Sequence, residues 1–124
     1  MPTHDFTQLD VWKKAHQITL MTYRLTAGFP RAEIFRLTDQ ACKSSASVAT
    51  NISEGYGRRS PGEKMRFYNI AEGSLQELKY QFILARDLGY VRDAGPVFDL
   101  IRDVEMMLRK LIAAISRGPA PSSP

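Results

Sequence analysis

Val97, Ile101, Val104, Leu108, Leu111 and Ile115 are spaced by four, three, four, three and four residues. Such a seam belongs to an α-helix that buries one stripe against other helices, and a strand cannot keep its period. The segment from about Gly95 or Pro96 to Ser116 is therefore predicted to be a long bundle helix, closed by Gly118 and Pro119. Three further segments carry the same periodicity. The first runs from about Thr7 to Thr26, with Val11, Ala15, Ile18, Thr22 and Leu25 in one stripe, Gly28 as the expected C-terminal cap and Pro30 beyond it. The second runs from about Leu37 to Tyr56. Its stripe is Leu37, Ala41, Val48 and Ile52, its expected N-cap is Thr38, and a short turn over 31–35 precedes it. Its middle is rich in small residues that let a neighbouring helix come close. The third has the best start signal: Ser60 as N-cap, Pro61 at the first position and Glu63 as the return arm of a capping box. Its expected stripe is Phe67, Ala71, Ser74, Leu78, Phe82 and Ala85. It ends at Gly89, giving about 28 residues or roughly 42 Å.

Four such helices joined by short connections predict an all-α fold, an antiparallel up-down-up-down four-helix bundle. Residues 1–118 form one domain in this reading, and residues 119–124 a disordered tail. At 124 residues the chain has the size of a single domain. No apolar run is long enough to span a membrane, no secretory signal is visible at the first residues, and Cys42 is the only cysteine. A disulfide scaffold is thereby excluded, and a reducing cytoplasm is the expected location.

Some apolar residues fall outside the stripes. Trp12, Leu20 and Tyr23 form a second face on the first helix, Tyr80 and Ile83 lie on the back of the third, and Met106 sits among charged residues on the fourth. Isolated exposed apolar residues are ordinary. Leakage on several helices at once points instead to a self-association surface.

Two polar constellations stand out. Gln40, Ser44, Ser47, Asn51 and Glu54 recur every three or four residues and form a ladder beside the apolar stripe of the second helix. It reads either as a half-buried layer that hydrogen-bonds the next helix and fixes register, or as a ligand or partner surface. Asn51 and Glu54 are its members able to make strong oriented bonds. The second constellation is basic: Arg58, Arg59, Lys64 and Arg66 crowd one helix start beside Tyr56, just after Gly55 and Gly57. Arginines near an aromatic suit phosphate contact and base stacking, and the net charge of +4 favours a polyanionic partner. The plainer reading is solvated charge with local ion pairs, Glu54 with Arg58 and Glu63 with Arg66. Arg59 and Lys64 are then the expected direct phosphate contacts. His4 and His16 have no ligand spacing to each other or to Cys42, and no nucleophile, Glu-x-x-His or phosphate-loop signature occurs. No enzyme activity, metal or cofactor is expected.

The string Asn51-Ile52-Ser53-Glu54-Gly55-Tyr56-Gly57-Arg58 is similar to the N-I-A-E-G-x-G-R signature of the bacterial four-helix bundle proteins encoded in 23S ribosomal RNA intervening sequences. Leu9, Val11, Trp12 and Ala15-His16 resemble the family's opening L-x-V-W-x-x-A-H. Phe29-Pro30, Glu33, Phe35, Leu37-Thr38 and Gln40 resemble its F-P-x-x-E-x-F-x-L-T-x-Q segment. Phe67, Ile70-Ala71, Gly73-Ser74, Glu77 and Leu88-Gly89-Tyr90 resemble its third helix. The likeness covers roughly residues 6–115. Ser44 and Ser45 replace the usual alanines, Ala49 stands where proline is common, and Asn69 and Glu72 replace more apolar residues. The resemblance implies a bundle that assembles as a homopentameric ring. A related branch, the accessory protein of diversity-generating retroelements, is a basic pentamer that works with a reverse transcriptase and RNA. It implies no catalytic residues. Together these readings give a non-enzymatic oligomer that binds structured RNA or a ribonucleoprotein, with a protein-interaction scaffold as the alternative.

Overall fold

The computed structural model describes residues 5–117. The expected tail at 119–124, the closing Gly118 and Pro119, and His4 lie outside the described residues. Four helices account for most of what is described: α1 (Asp10–Thr26), α2 (Asp39–Gly57), α3 (Pro61–Asp87) and α4 (Gly95–Arg117), with no strand among the described residues. α1 packs on α2 and α4, and α3 packs on the same two helices, so the four close an antiparallel square. Ile18, Val48, Ile52, Leu75, Leu78, Phe82, Val97, Ile101, Val104 and Leu108 fill its interior with essentially no exposure. The all-α bundle read from the periodicity is the observed fold.

The small residues of α2 do what their size allows. Ala41, Ser45 and Ala49 are buried, and the backbone of α2 comes near enough to α1 that the Thr19 hydroxyl donates to the Ser45 carbonyl at 3.0 Å. A second close approach joins α2 to α3 at Gly55. A methyl group there would stand 2.5 Å from Cε1 of the buried Tyr68 ring.

Several local expectations are corrected. α1 begins at Asp10 rather than Thr7, because residues 6–8 form a separate 3-10 turn whose first amides are satisfied by Asp5. Gly28 is not a left-handed cap: Gly89 is the one glycine with positive φ among the described residues. The segment before α2 is already wound, as a 3-10 turn (Arg31–Glu33) and a π turn (Ile34–Thr38) kinked at Arg36, so Thr38 is helical and makes no cap hydrogen bond. The Glu33 carboxylate takes the capping role, accepting from the Leu37 amide at 3.3 Å. Its other oxygen accepts from the Tyr90 hydroxyl at 2.8 Å, which ties this turn to the α3–α4 connection. That hydrogen bond holds the Tyr90 phenol above its ordinary pKa. On α3, Tyr68 and Leu75 are buried where Phe67 was expected to lead the stripe, and Phe67 is only half-buried. The seam is Tyr68, Ala71, Leu75, Leu78, Phe82 and Ala85, spaced three, four, three, four and three.

Candidate nucleic-acid interface

The basic cluster sits where α2 turns into α3, and three residues, 58–60, make the turn. Its tightness follows from caps on both sides. Ser60 accepts the Glu63 amide at 3.2 Å and opens α3 with Pro61 at its first turn. Glu63 does not complete the reciprocal arm expected of it; its carboxylate is 3.5 Å from Arg66. α2 continues through both glycines, so Gly55 and Gly57 do not loosen the backbone before the cluster. Gly55 is there for the close approach of Tyr68.

The end of α2 leaves carbonyls without helical partners. Lys64 supplies the donors: its Nζ lies 3.2 Å from the Gly55 carbonyl oxygen and 2.9 Å from that of Tyr56. An ammonium at a helix C-terminus also meets the negative end of the dipole. Lys64 therefore closes a helix and is not the open phosphate contact expected of it. Its Nζ also stands 5.7 Å from the centre of the Tyr56 ring.

The arginines are arranged differently. The Arg58 guanidinium lies 4.8 Å from the centre of the Phe67 ring, and that of Arg66 lies 4.5 Å from the same centre. Phe67, expected in the core, is instead the ring on which two guanidiniums meet. Attraction between a cation and an aromatic face restrains both side chains while leaving their N–H groups to solvent. Each also has an acid: Arg58 bonds Glu54 at 2.9 Å, and Arg66 faces Glu63. Arg59 is exposed and, among the described residues, makes no side-chain hydrogen bond or ion pair. Four cations thus stand against two carboxylates within one turn of chain.

The polar ladder divides. In its middle, Ser47 and Ser74 share a hydrogen bond of 2.7 Å across α2 and α3, and Asn51 donates to the Ser47 carbonyl at 2.8 Å and its hydroxyl at 3.0 Å. This part is the register-fixing layer, with Ser44 buried beside it. The ends are not. Gln40 is exposed, and Glu54 is exposed and bound to Arg58, one turn along its own chain.

The apolar residues read as a self-association surface also divide. Leu20, Tyr23, Tyr80 and Met106 are exposed. Trp12 is half-buried, stacked on His16 at 5.0 Å and met edge-on by Phe6 at 5.2 Å. Ile83 is half-buried in a hollow that it shares with Phe98. The largest exposed apolar side chain was missed: Phe35, 91% exposed, in the π turn. Ile34 beside it is also exposed and lines one hollow with Tyr23. The sequence signal for Phe35 was an Ile-Phe pair after Pro30 that belongs to none of the helical stripes.

Among the described residues no helix is long and apolar enough to cross a membrane. No curated protein matches the chain. A protein family does, over residues 7–113, which takes in all four helices. The chain belongs to the family of 23S rRNA-intervening sequence proteins.

Proposed function

We propose that this protein is a non-enzymatic, cytoplasmic homo-oligomer, a pentamer by resemblance, that binds structured RNA through the turn between α2 and α3. The observation that carries the reading is the pair of guanidiniums restrained on Phe67, with the exposed Arg59 next to them in sequence. Restrained donors lose little freedom on meeting a phosphate. Exposed acid partners such as Glu54 and Glu63 contribute only about 0.2–0.5 kcal/mol each and yield to a stronger anion. The family's description, with its 23S rRNA intervening sequences, is compatible with an RNA partner. The apolar region around Phe35 supports assembly, since a second copy would cover it. A ring would repeat the cluster once per subunit, and the weak contacts would add through effective concentration and counterion release.

The test is an anisotropy titration of a structured RNA at low and moderate salt, with light scattering on the same samples. Wild type is expected to scatter as an oligomer and to bind with a steep loss of affinity as salt rises. Arg59→Glu with Arg66→Glu is expected to abolish binding without changing particle size. Phe35→Asp is expected to reduce the particle size. Equal RNA affinity for wild type and the double variant overturns the binding reading. A 14.0 kDa particle at every concentration overturns the assembly reading.

A further inference from the structure

We propose that the hollow between α3 and α4 docks an acidic peptide segment that carries an apolar side chain. The hollow, about 340 Å³, is lined by Lys79, Ile83, Arg86, Phe98, Arg102 and Glu105. Its floor is apolar: Ile83 from α3 and Phe98 from α4 are both half-buried there. Its rim is mostly cationic. The single lining carboxylate, Glu105, is already satisfied. Its side chain is 10% exposed, and its Oε2 accepts from Gln76 at 2.5 Å and faces the Lys79 ammonium at 3.5 Å. That leaves Arg86 and Arg102, one from each helix, in the lining. Arg86 lies 5.5 Å over the Phe98 ring. Each is paired only with a neighbour on its own helix, Asp87 at 3.0 Å and Asp99 at 3.2 Å, and all four side chains are at least half exposed. Exposed pairs of this kind contribute little, so an incoming carboxylate with bidentate geometry can take the place of either aspartate.

The charge pattern selects the partner. A nucleic-acid strand carries a charge on every phosphate and needs an unbroken cationic track. Here the Glu105 carboxylate, held by Gln76 and Lys79, interrupts the rim and does not yield to a phosphate as an exposed acid would. A peptide can place two carboxylates at the guanidiniums and an apolar side chain between them, over Ile83 and Phe98. The hollow is also remote from the basic turn: 22 residues of α3 separate Lys64 from Arg86, roughly 33 Å along the helix axis.

The experiment uses the full chain and a fluorescein-labelled twelve-residue peptide of repeating Leu-Asp-Glu, read by anisotropy at low salt. Saturable binding is expected. Arg86→Glu with Arg102→Glu is expected to weaken it by about tenfold or more, as the loss of two charge-assisted contacts requires. Lys43→Glu, the same kind of charge reversal on an exposed side chain of α2, is expected to bind like wild type. A peptide with Ser in place of Leu is expected to bind several-fold more weakly, which charge alone would not produce. Circular dichroism checks folding, and Arg102→Gln, a milder change at an exposed side chain, is expected to weaken binding in the same direction if the double variant unfolds. Absence of saturation, equal binding of the serine peptide, or equal binding by Arg102→Gln overturns the proposal. So does displacement of the peptide by poly(U) RNA at equal charge, or loss of binding as rising protein concentration drives self-association, since a second copy would then be the occupant.

Discussion

Replacing Gly55 by alanine tests the closest approach in the bundle. The added Cβ would stand 2.5, 2.8 and 3.0 Å from three ring carbons of Tyr68. Real side-chain contacts are not that short, so the ring or a helix must move. Tyr68 has 2% exposure, so its ring moves only with its packed surroundings. Overpacking a filled core costs about 1–3 kcal/mol. Alanine is the better helix former by about 1 kcal/mol, which offsets part of that. The net expectation is a loss of up to about 2 kcal/mol, and a urea midpoint lowered by up to roughly 1 M for a protein of this size. Gly73→Ala is the matched control, because it is exposed on α3 with nothing within 4 Å of the added methyl. It is expected to gain about 0.5–1 kcal/mol from helix propensity alone. Both variants and a Gly55→Ala, Tyr68→Leu pair are unfolded in urea at one protein concentration and followed by far-ultraviolet circular dichroism. The pair should lose less than the two single changes added together, because Leu removes the ring that the methyl strikes. If Gly55→Ala gains as much stability as Gly73→Ala, the close packing of α2 on α3 at this point is wrong.

Two further perturbations follow from single residues. Gly89 has φ +81, so Gly89→Ala is expected to lower the thermal midpoint at a cost of about 1–2 kcal/mol, whereas Gly28→Ala, whose methyl meets only the Leu25 carbonyl at 3.6 Å, is expected to leave it unchanged. Burial first, and the nearby Tyr56 phenol second, push Tyr68 up from 10.0 to about 12. The neutral phenol is held in the folded state, so this contribution is intact below pH 10 and is lost as pH rises from about 10 to 12. The loss reaches at most about 2–3 kcal/mol. A spectrophotometric tyrosine titration should show a last phenol that is missing in Tyr68→Phe, with Tyr90 also above its ordinary value; simultaneous ionisation of all five would refute it.

The seam of α4, the Ser60-Pro61 start and the Gly89 stop were all legible in the sequence, because each is decided by residues within a turn of one another. The mistakes arose where a distant partner decides. Phe67 and Tyr68 are adjacent aromatic residues, and either begins an acceptable stripe. Only the narrow gap opposite Gly55 selects Tyr68 for the interior and turns Phe67 toward the arginines. Lys64 reads as a solvated cation until the end of α2 is seen to lie within reach of its ammonium. Periodicity marked Glu54 correctly as a neighbour of Asn51, but it cannot say that the carboxylate stays exposed and turns to Arg58. Phe35 carries no periodic signal, because it lies in the π turn between helices.

The corner where Lys64 reaches back to α2 has a consequence for the order in which the chain folds. Its contacts span eight and nine residues, and Gly55 meets Tyr68 only thirteen residues on. Loops of about ten residues close in roughly 10–100 ns, far faster than the diffusive search that must bring α1 to α4. The Lys14–Asp103 bond, 89 residues apart in sequence, belongs to that slower event. The α2–α3 hairpin is thus expected to be the nucleus on which the outer helices condense, and substitutions at its corner are expected to slow folding where those on the α1–α4 side hasten unfolding.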